Sequence, residues 1–269
     1  MSQGYVQEIF SSFQGEGAAV EGSCYGLRQI FIRFSGCPLA LGVHGTKGCI
    51  WCDSPKSWST TPSKCLVETQ AGTQSFEEIS NPLTPEEILD FVKKLSTKDL
   101  HSVSLTGGEP LYQESFFEDI TSLLKEAGYK TYLETAYTDN FVFLEKLSEK
   151  IDFACVDIKD KTANAALEWE NLVNQEVEMS RILKNAGTKV FAKTVITKAS
   201  KKENFEIIAK KCGSIDLPIV IQFVTPIVNS KVEQPTWEQV NDFSQIAGKF
   251  LSPEKIGISI QMHKAVEIL

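Results

Sequence analysis

"SVSLTGGEP", residues 102–110, carries the reading that decides the fold. Its first five residues alternate small polar and apolar side chains as a strand does, and the run stops on Thr106-Gly107-Gly108-Glu109, a turn closed by Pro110. The same form recurs down the chain. "KTYLET" (130–135) ends on Glu134-Thr135, "FACVDIK" (153–159) on Asp157 and Lys159, and "KVFAKTVI" (189–196) holds Lys193-Thr194. "PIVIQFV" (218–224) contains Gln222, and "IGISIQM" (256–262) leads into His263. Helix-periodic stretches separate these runs: one capped by Thr84 with Pro85 at its first position, then about 114–127, about 139–149, a longer one ending before Gly187, about 202–211, and one starting near Pro235. Strands alternating with helices predict a parallel sheet with crossover helices, and polar residues at successive strand ends line one mouth of a barrel. The units are too few for a closed eight-stranded barrel. The expectation is a single α/β domain over 1–269, a partial TIM-like (β/α) barrel of six to seven mostly parallel strands with helices outside. "QIFIRF" (29–34) adds a strand with Ile30, Ile32 and Phe34 on one face and Phe31 and Arg33 on the other. Residues 56–83, rich in Ser, Thr, Pro and Gly without clear periodicity, read as a loop insertion.

Composition bounds the function. The 269 residues are 42% hydrophobic and 23% charged with a net charge of −8, and the lysine pairs are scattered. No basic stripe suits a phosphate backbone, so nucleic acid is excluded as the main partner. The N-terminus has no charged segment followed by an apolar one, and no apolar run approaches ~18 residues. A soluble, cytoplasmic protein without a membrane partner is expected. Seven cysteines, an odd number without a signal peptide, favour thiol or metal chemistry over disulfides.

Three of them fall in "SGCPLALGVHGTKGCIWCDSP" (35–55), where Cys37 precedes the Cys49/Cys52 pair by an eleven-residue gap. On spacing alone three readings stand. A structural zinc site would take Cys65 as its fourth ligand. A redox dithiol would use Cys49 and Cys52 only. A cubane iron–sulfur cluster held by three thiolates would leave one iron open to a ligand. Cys24, Cys155 and Cys212 read as small buried hydrophobes.

The trio closing on Cys49-Ile50-Trp51-Cys52, followed by "GGEP" at 107–110, resembles the radical S-adenosylmethionine (SAM) superfamily. "IFSSFQGEG" (9–17), "FIRFSGC" (31–37), "CDS" (52–54), "LET" (133–135) and "SIQMHK" (259–264) narrow the resemblance to the 7-carboxy-7-deazaguanine synthase family over nearly the whole chain. The common superfamily spacing is C-x3-C-x2-C, so the gap departs from it; Ser54 stands for a usual Thr, and Ala136 where Asn often follows "ET".

The resemblance implies a [4Fe-4S] cluster on Cys37, Cys49 and Cys52, whose open iron is chelated by S-adenosylmethionine that is then cleaved to a 5′-deoxyadenosyl radical. It implies cofactor contacts from Trp51, Asp53, Thr106, Gly107, Gly108, Glu109, Asp157, Lys159 and Gln222, and Mg²⁺ at Ser54. The implied substrate is 6-carboxy-5,6,7,8-tetrahydropterin, met by Gln14, Gly15, Glu16, Arg33, Glu134, Gln261, His263 and the terminal carboxylate of Leu269. Gln14 and Glu16 have groups that read an aminopyrimidinone edge, and Arg33 can pair with a carboxylate. A flavodoxin- or ferredoxin-type one-electron reductant and a homodimer are implied as partners. A glycyl-radical-activating enzyme and a non-catalytic zinc module are the competing function classes.

Overall fold

The computed structural model describes residues 2–226 and 231–265. Ten strands form one sheet in the order β10-β9-β8-β7-β6-β5-β2-β1-β3-β4: β1 Val6–Phe13, β2 Arg28–Phe34, β3 Lys64–Glu68, β4 Phe76–Ser80, β5 Leu100–Gly107, β6 Thr131–Thr135, β7 Phe153–Asp157, β8 Lys189–Ile196, β9 Ile219–Phe223 and β10 Ile256–Ser259. Strands β2 and β5 to β10 are mutually parallel. These seven are the partial barrel the alternating pattern predicts. A short α1 (Pro38–Leu41) follows β2. The crossover helices are α2 (Pro85–Leu95), α3 (Glu114–Glu126), α4 (Phe141–Ser148), α5 (Trp169–Asn185), α6 (Lys202–Ser214) and α7 (Trp237–Ala247), with a terminal turn α8 (Met262–Ala265). Thr84 caps α2 as expected: its hydroxyl accepts from Glu87 N at 3.3 Å, and Glu87 returns a bond to Thr84 N at 2.8 Å.

Strand periodicity sorts the two faces. Outward residues, such as Ile30, Ile32 and Phe34 of β2 or Val190, Ala192 and Ile196 of β8, join the main core. Inward residues form two layers. Toward the strand starts Tyr132, Phe191 and Val220 pack with Phe153 and Cys155. Toward the strand ends the inward positions turn polar: Arg33, Thr106, Glu134, Asp157, Lys193 and Gln222 all face one cavity. The segment between β1 and β2 closes on itself, Gln14 N to Leu27 O and Gly26 N to Gln14 O, both 2.9 Å. It plugs the apolar layer with Val20 and Cys24.

The stretch 56–83 departs from the expected loop insertion, since it holds β3 and β4. Strand β3 runs parallel to β1, and β4 closes an antiparallel edge. Cys65 and Val67 of β3 are fully buried, while β4 is largely exposed. Glu68 anchors the hairpin, accepting from Ser11 N at 2.8 Å and Gln74 N at 2.9 Å. A polar edge strand that depends on a distant partner leaves little local periodicity to read. Among the described residues no helix is long and apolar enough to cross a membrane.

Candidate active site

The cysteine loop is built at the end of β2. Cys37 precedes α1, and the eleven-residue gap is that short helix plus a turn docked on the segment after β7. Thr46 Oγ1 donates to Ala165 O at 2.8 Å, Leu167 N to His44 O at 3.0 Å and Ile50 N to Ala163 O at 3.1 Å. The His44 ring meets Tyr137 edge-on, 5.1 Å between centroids. A tight turn, Cys52 N to Cys49 O at 3.2 Å, then brings the pair to Cys37. All three cysteines line one cavity of about 590 Å³. Burial pushes the thiols of Cys37 and Cys49 up, the latter to about 11, a shift that a bound metal would oppose by compensating the thiolate charge.

"GGEP" sits against this loop because it has two glycines. Gly107 has φ +138°, and a Cβ there would lie 2.3 Å from Phe34 O; one on Gly108 would lie 2.3 Å from Gly36 O. The close approach lets Gly108 N bond Phe34 O at 3.0 Å and Glu109 N bond Gly36 O at 2.8 Å. The Glu109 carboxylate turns to protein donors: Thr135 Oγ1 at 2.7 Å, Ala136 N at 2.9 Å, Tyr137 N at 3.0 Å and Leu111 N at 3.1 Å. Burial pushes it up to about 7 against these four bonds. Glu109 therefore fixes the strand ends with its side chain and leaves the glycine backbone to face the cavity.

The opposite wall is a network of charges and amides. Lys193 is ion-paired with Glu16 and stands 3.5 Å from Asp157, which pairs with Lys159 at 2.8 Å. Glu16 also accepts from Gln261 Nε2 at 2.6 Å and Gln222 Nε2 at 3.2 Å, and Gln261 reaches Asp53 at 2.9 Å. Burial would raise the Glu16 carboxyl, but Lys193 outweighs it and holds the group below the usual range. Glu134, taking bonds from Gln14 (2.7 Å) and Thr106 (3.1 Å), is pushed up by burial and by Glu16. Met262 N bonds Gly15 O at 2.8 Å, which seats His263 over the mouth. Burial lowers the His263 imidazole.

Every site residue expected from the sequence within the described range lines this cavity; Leu269 lies outside the described residues. Two expectations change in detail. Arg33 lines the cavity with its Nε on Glu8 at 2.6 Å, its cross-strand neighbour, so a carboxylate already takes that one N–H of its guanidinium. The amide of Gln14 is bonded by Glu134, Gln29 (3.0 Å) and the Glu16 N–H (3.0 Å), so it orients neighbours. Lys193, seen at a strand end and given no role, is the central cation. Its inward register with Phe191 and Val195 was the available signal.

Cys65 is buried in β3 with its Sγ 3.8 Å from Leu66 O, and it does not line the cavity. Among the described residues no trio of His, Cys, Asp or Glu closes on a single metal ion. The thiol trio suits a cluster, in which each thiolate takes its own iron. Two buried atoms of cavity-lining residues, Asp157 Oδ1 and Gln222 Oε1, have no partner, as sites built for a polar ligand do.

A sequence profile of the Radical SAM superfamily matches residues 32–197. The 7-carboxy-7-deazaguanine synthase of Thermococcus kodakarensis is 38% identical over 98% of this chain and 98% of its own length. The chain belongs to the 7-carboxy-7-deazaguanine synthase family of the radical SAM superfamily. The Methanocaldococcus jannaschii protein of the same name is 32% identical over 98% of the chain and 100% of its own length. A radical SAM methyltransferase from Sphaerobacter thermophilus aligns with a TM-score of 0.55 at 13% identity, covering 87% of this chain and 70% of its own. That likeness shows a shared fold. Radical SAM enzymes use a [4Fe-4S] cluster and S-adenosylmethionine, and the deazaguanine synthases use Mg²⁺ as well. The cavity fits the first two: three thiols for the cluster, and the glycine backbone with the orphaned Asp157 and Gln222 atoms for the cofactor. Ser54 lines it with Oγ 3.8 Å from Cys52 Sγ.

Proposed function

We propose that this chain converts 6-carboxy-5,6,7,8-tetrahydropterin to 7-carboxy-7-deazaguanine with loss of ammonia, a step of queuosine-type deazapurine synthesis. The observation that carries this reading is the meeting of the three cysteines and the "QGEG" and "QMHK" segments on one cavity. Product and ammonia together hold all the atoms of the substrate, so the reaction is a redox-neutral elimination.

The bound cluster and S-adenosylmethionine supply the one-electron chemistry that starts and ends the rearrangement. Cys37, Cys49 and Cys52 hold the cluster. Trp51, Asp53, the backbone of Gly107, Gly108 and Glu109, Asp157, Lys159 and Gln222 hold the cofactor. Gln14, Gly15, Glu16, Arg33, Glu134, Gln261 and His263 frame the pterin, with Glu16 fixed by Lys193 and Gln261 so that its carboxylate stays ionised toward the ring. Ser54 would give Mg²⁺ one oxygen ligand, and the ion would supply a positive charge that orients the substrate carboxylate. One domain over 1–269, a flavodoxin- or ferredoxin-type donor, a homodimer and a cytoplasmic setting complete the proposal. Anaerobic incubation of the reconstituted protein with S-adenosylmethionine, reductant and the carboxypterin is expected to yield the deazaguanine and ammonia. No product from a fully loaded cluster would reject the substrate and leave only the superfamily.

A further inference from the structure

Glu176 lies in the middle of α5 with no exposed surface, and the proposed chemistry gives it no task. Burying a carboxyl is costly unless its oxygens are hydrogen-bonded or its charge is paired. Its Oε2 accepts the backbone N–H of Lys159 at 3.1 Å, and its Oε1 meets no polar partner. The same helix makes a second bond to the same residue, from the Trp169 indole Nε1–H to Lys159 O at 2.7 Å. Trp169 and Glu176 are seven positions apart, two helical turns, and so project from one face. Both main-chain polar groups of Lys159 are thus gripped from behind by α5. In front, the Lys159 ammonium pairs with Asp157 at 2.8 Å and lines the cavity beside Cys49.

We propose that Glu176 and Trp169 are positioning residues that fix Lys159, and through it Asp157, in the geometry that receives S-adenosylmethionine. The inference rests on the placement of the cofactor at Asp157 and Lys159. Glu176 acts in this as a neutral acceptor. Burial pushes its carboxyl well above the usual range, against the opposing pull of Lys159, and the bond it takes from the Lys159 N–H needs only a carbonyl oxygen. An amide oxygen should replace it, and an alkyl group should not.

The test uses the reconstituted holoenzyme with Glu176→Gln, Glu176→Leu and Trp169→Phe, the last removing the indole N–H together with part of the ring while keeping an aromatic side chain in the core. The readouts are KM for S-adenosylmethionine, KM for the carboxypterin, and the change that S-adenosylmethionine causes in the electron paramagnetic resonance signal of the reduced cluster. Losing one hydrogen bond of this kind costs about fivefold in an equilibrium. Glu176→Leu and Trp169→Phe are expected to raise KM for S-adenosylmethionine about fivefold or more and shift the cofactor-dependent signal, with the pterin KM within about twofold. Glu176→Gln should match the wild type. Equal rises in both KM values overturn the proposal, as does a Gln variant as impaired as the Leu variant. Should Glu176→Leu fail to fold, Trp169→Phe decides, and an unchanged KM for S-adenosylmethionine there overturns it. A wild-type signal indifferent to S-adenosylmethionine overturns the functional reading and this inference together; a responsive wild type matched by all variants overturns the inference alone.

Discussion

Lys193 is buried between the carboxylates of Glu16 and Asp157, and both are held below their usual range against the effect of burial. Removing the ammonium leaves the buried Glu16 carboxylate without a cation, while Asp157 keeps Lys159, and an unpaired buried charge costs about 3–5 kcal/mol. The sign of the pH dependence should also reverse. With Lys193 present, Glu16 contributes stability above its unfolded value of 4.5, lost as pH falls through the lower folded value. In Lys193→Met burial loses its main opponent, with the Gln261 bond left, and lifts the carboxyl above 4.5, so stability should rise as pH is lowered from 8 toward 5. Melting temperature against pH reads this directly, and parallel curves for the two proteins would reject it. The cysteines divide in the same way by place. Serine at Cys37, Cys49 or Cys52 should reduce bound iron, whereas Cys65→Ser should keep it and lose about 1–3 kcal/mol by burying a hydroxyl in the core. Iron content with a denaturant melt separates the two cases. Residue types at strand ends foretold which side chains reach the cavity. They did not foretell that Glu109 and Arg33 would be occupied by protein partners, because a turned side chain leaves no mark in periodicity.

At the scale of elements, the crossover helices were readable where local chemistry is complete. Thr84, Pro85 and Glu87 carry all the signals of a helix start, and the capping box forms from them alone. Thr84→Ala should therefore cost about 1 kcal/mol in a urea melt while both KM values hold, because α2 packs on the outer face. A change in either KM would mean that α2 transmits strain to the mouth. The hairpin β3–β4 and the cysteine gap were not readable for the opposite reason. Both are fixed by partners far away in sequence: β3 by β1, and residues 38–48 by the 163–167 segment. The gap of eleven residues has the length of a short helix and a turn that must reach that segment before returning to Cys49.

Over the whole molecule, seven parallel strands deliver inward side chains in two layers, an apolar one filled by the β1–β2 segment and a polar one at the mouth. The start of the β1–β2 segment and the residues that follow β10 meet at that mouth. Gln261 spans from Glu16 near the start to Asp53 on the cysteine loop, and Met262 N holds Gly15 O. Among the described residues, 261–265 thus join the expected substrate side and make none of the bonds that shape the cysteine turn or the "GGEP" backbone. A chain ending at Ile260 keeps β10 and its ladder to β9. It should retain its iron, since the Cys49–Cys52 turn keeps its own bonds. Two charge-assisted bonds and the His263 cover go with the removed residues, and each such bond is worth about 1.5–3 kcal/mol. The pterin KM should then rise at least about tenfold. Gln261→Ala should fall between this chain and the wild type. Loss of iron on truncation would mean that the terminal segment supports the cluster loop through Asp53, and an unchanged pterin KM would place the substrate away from Glu16.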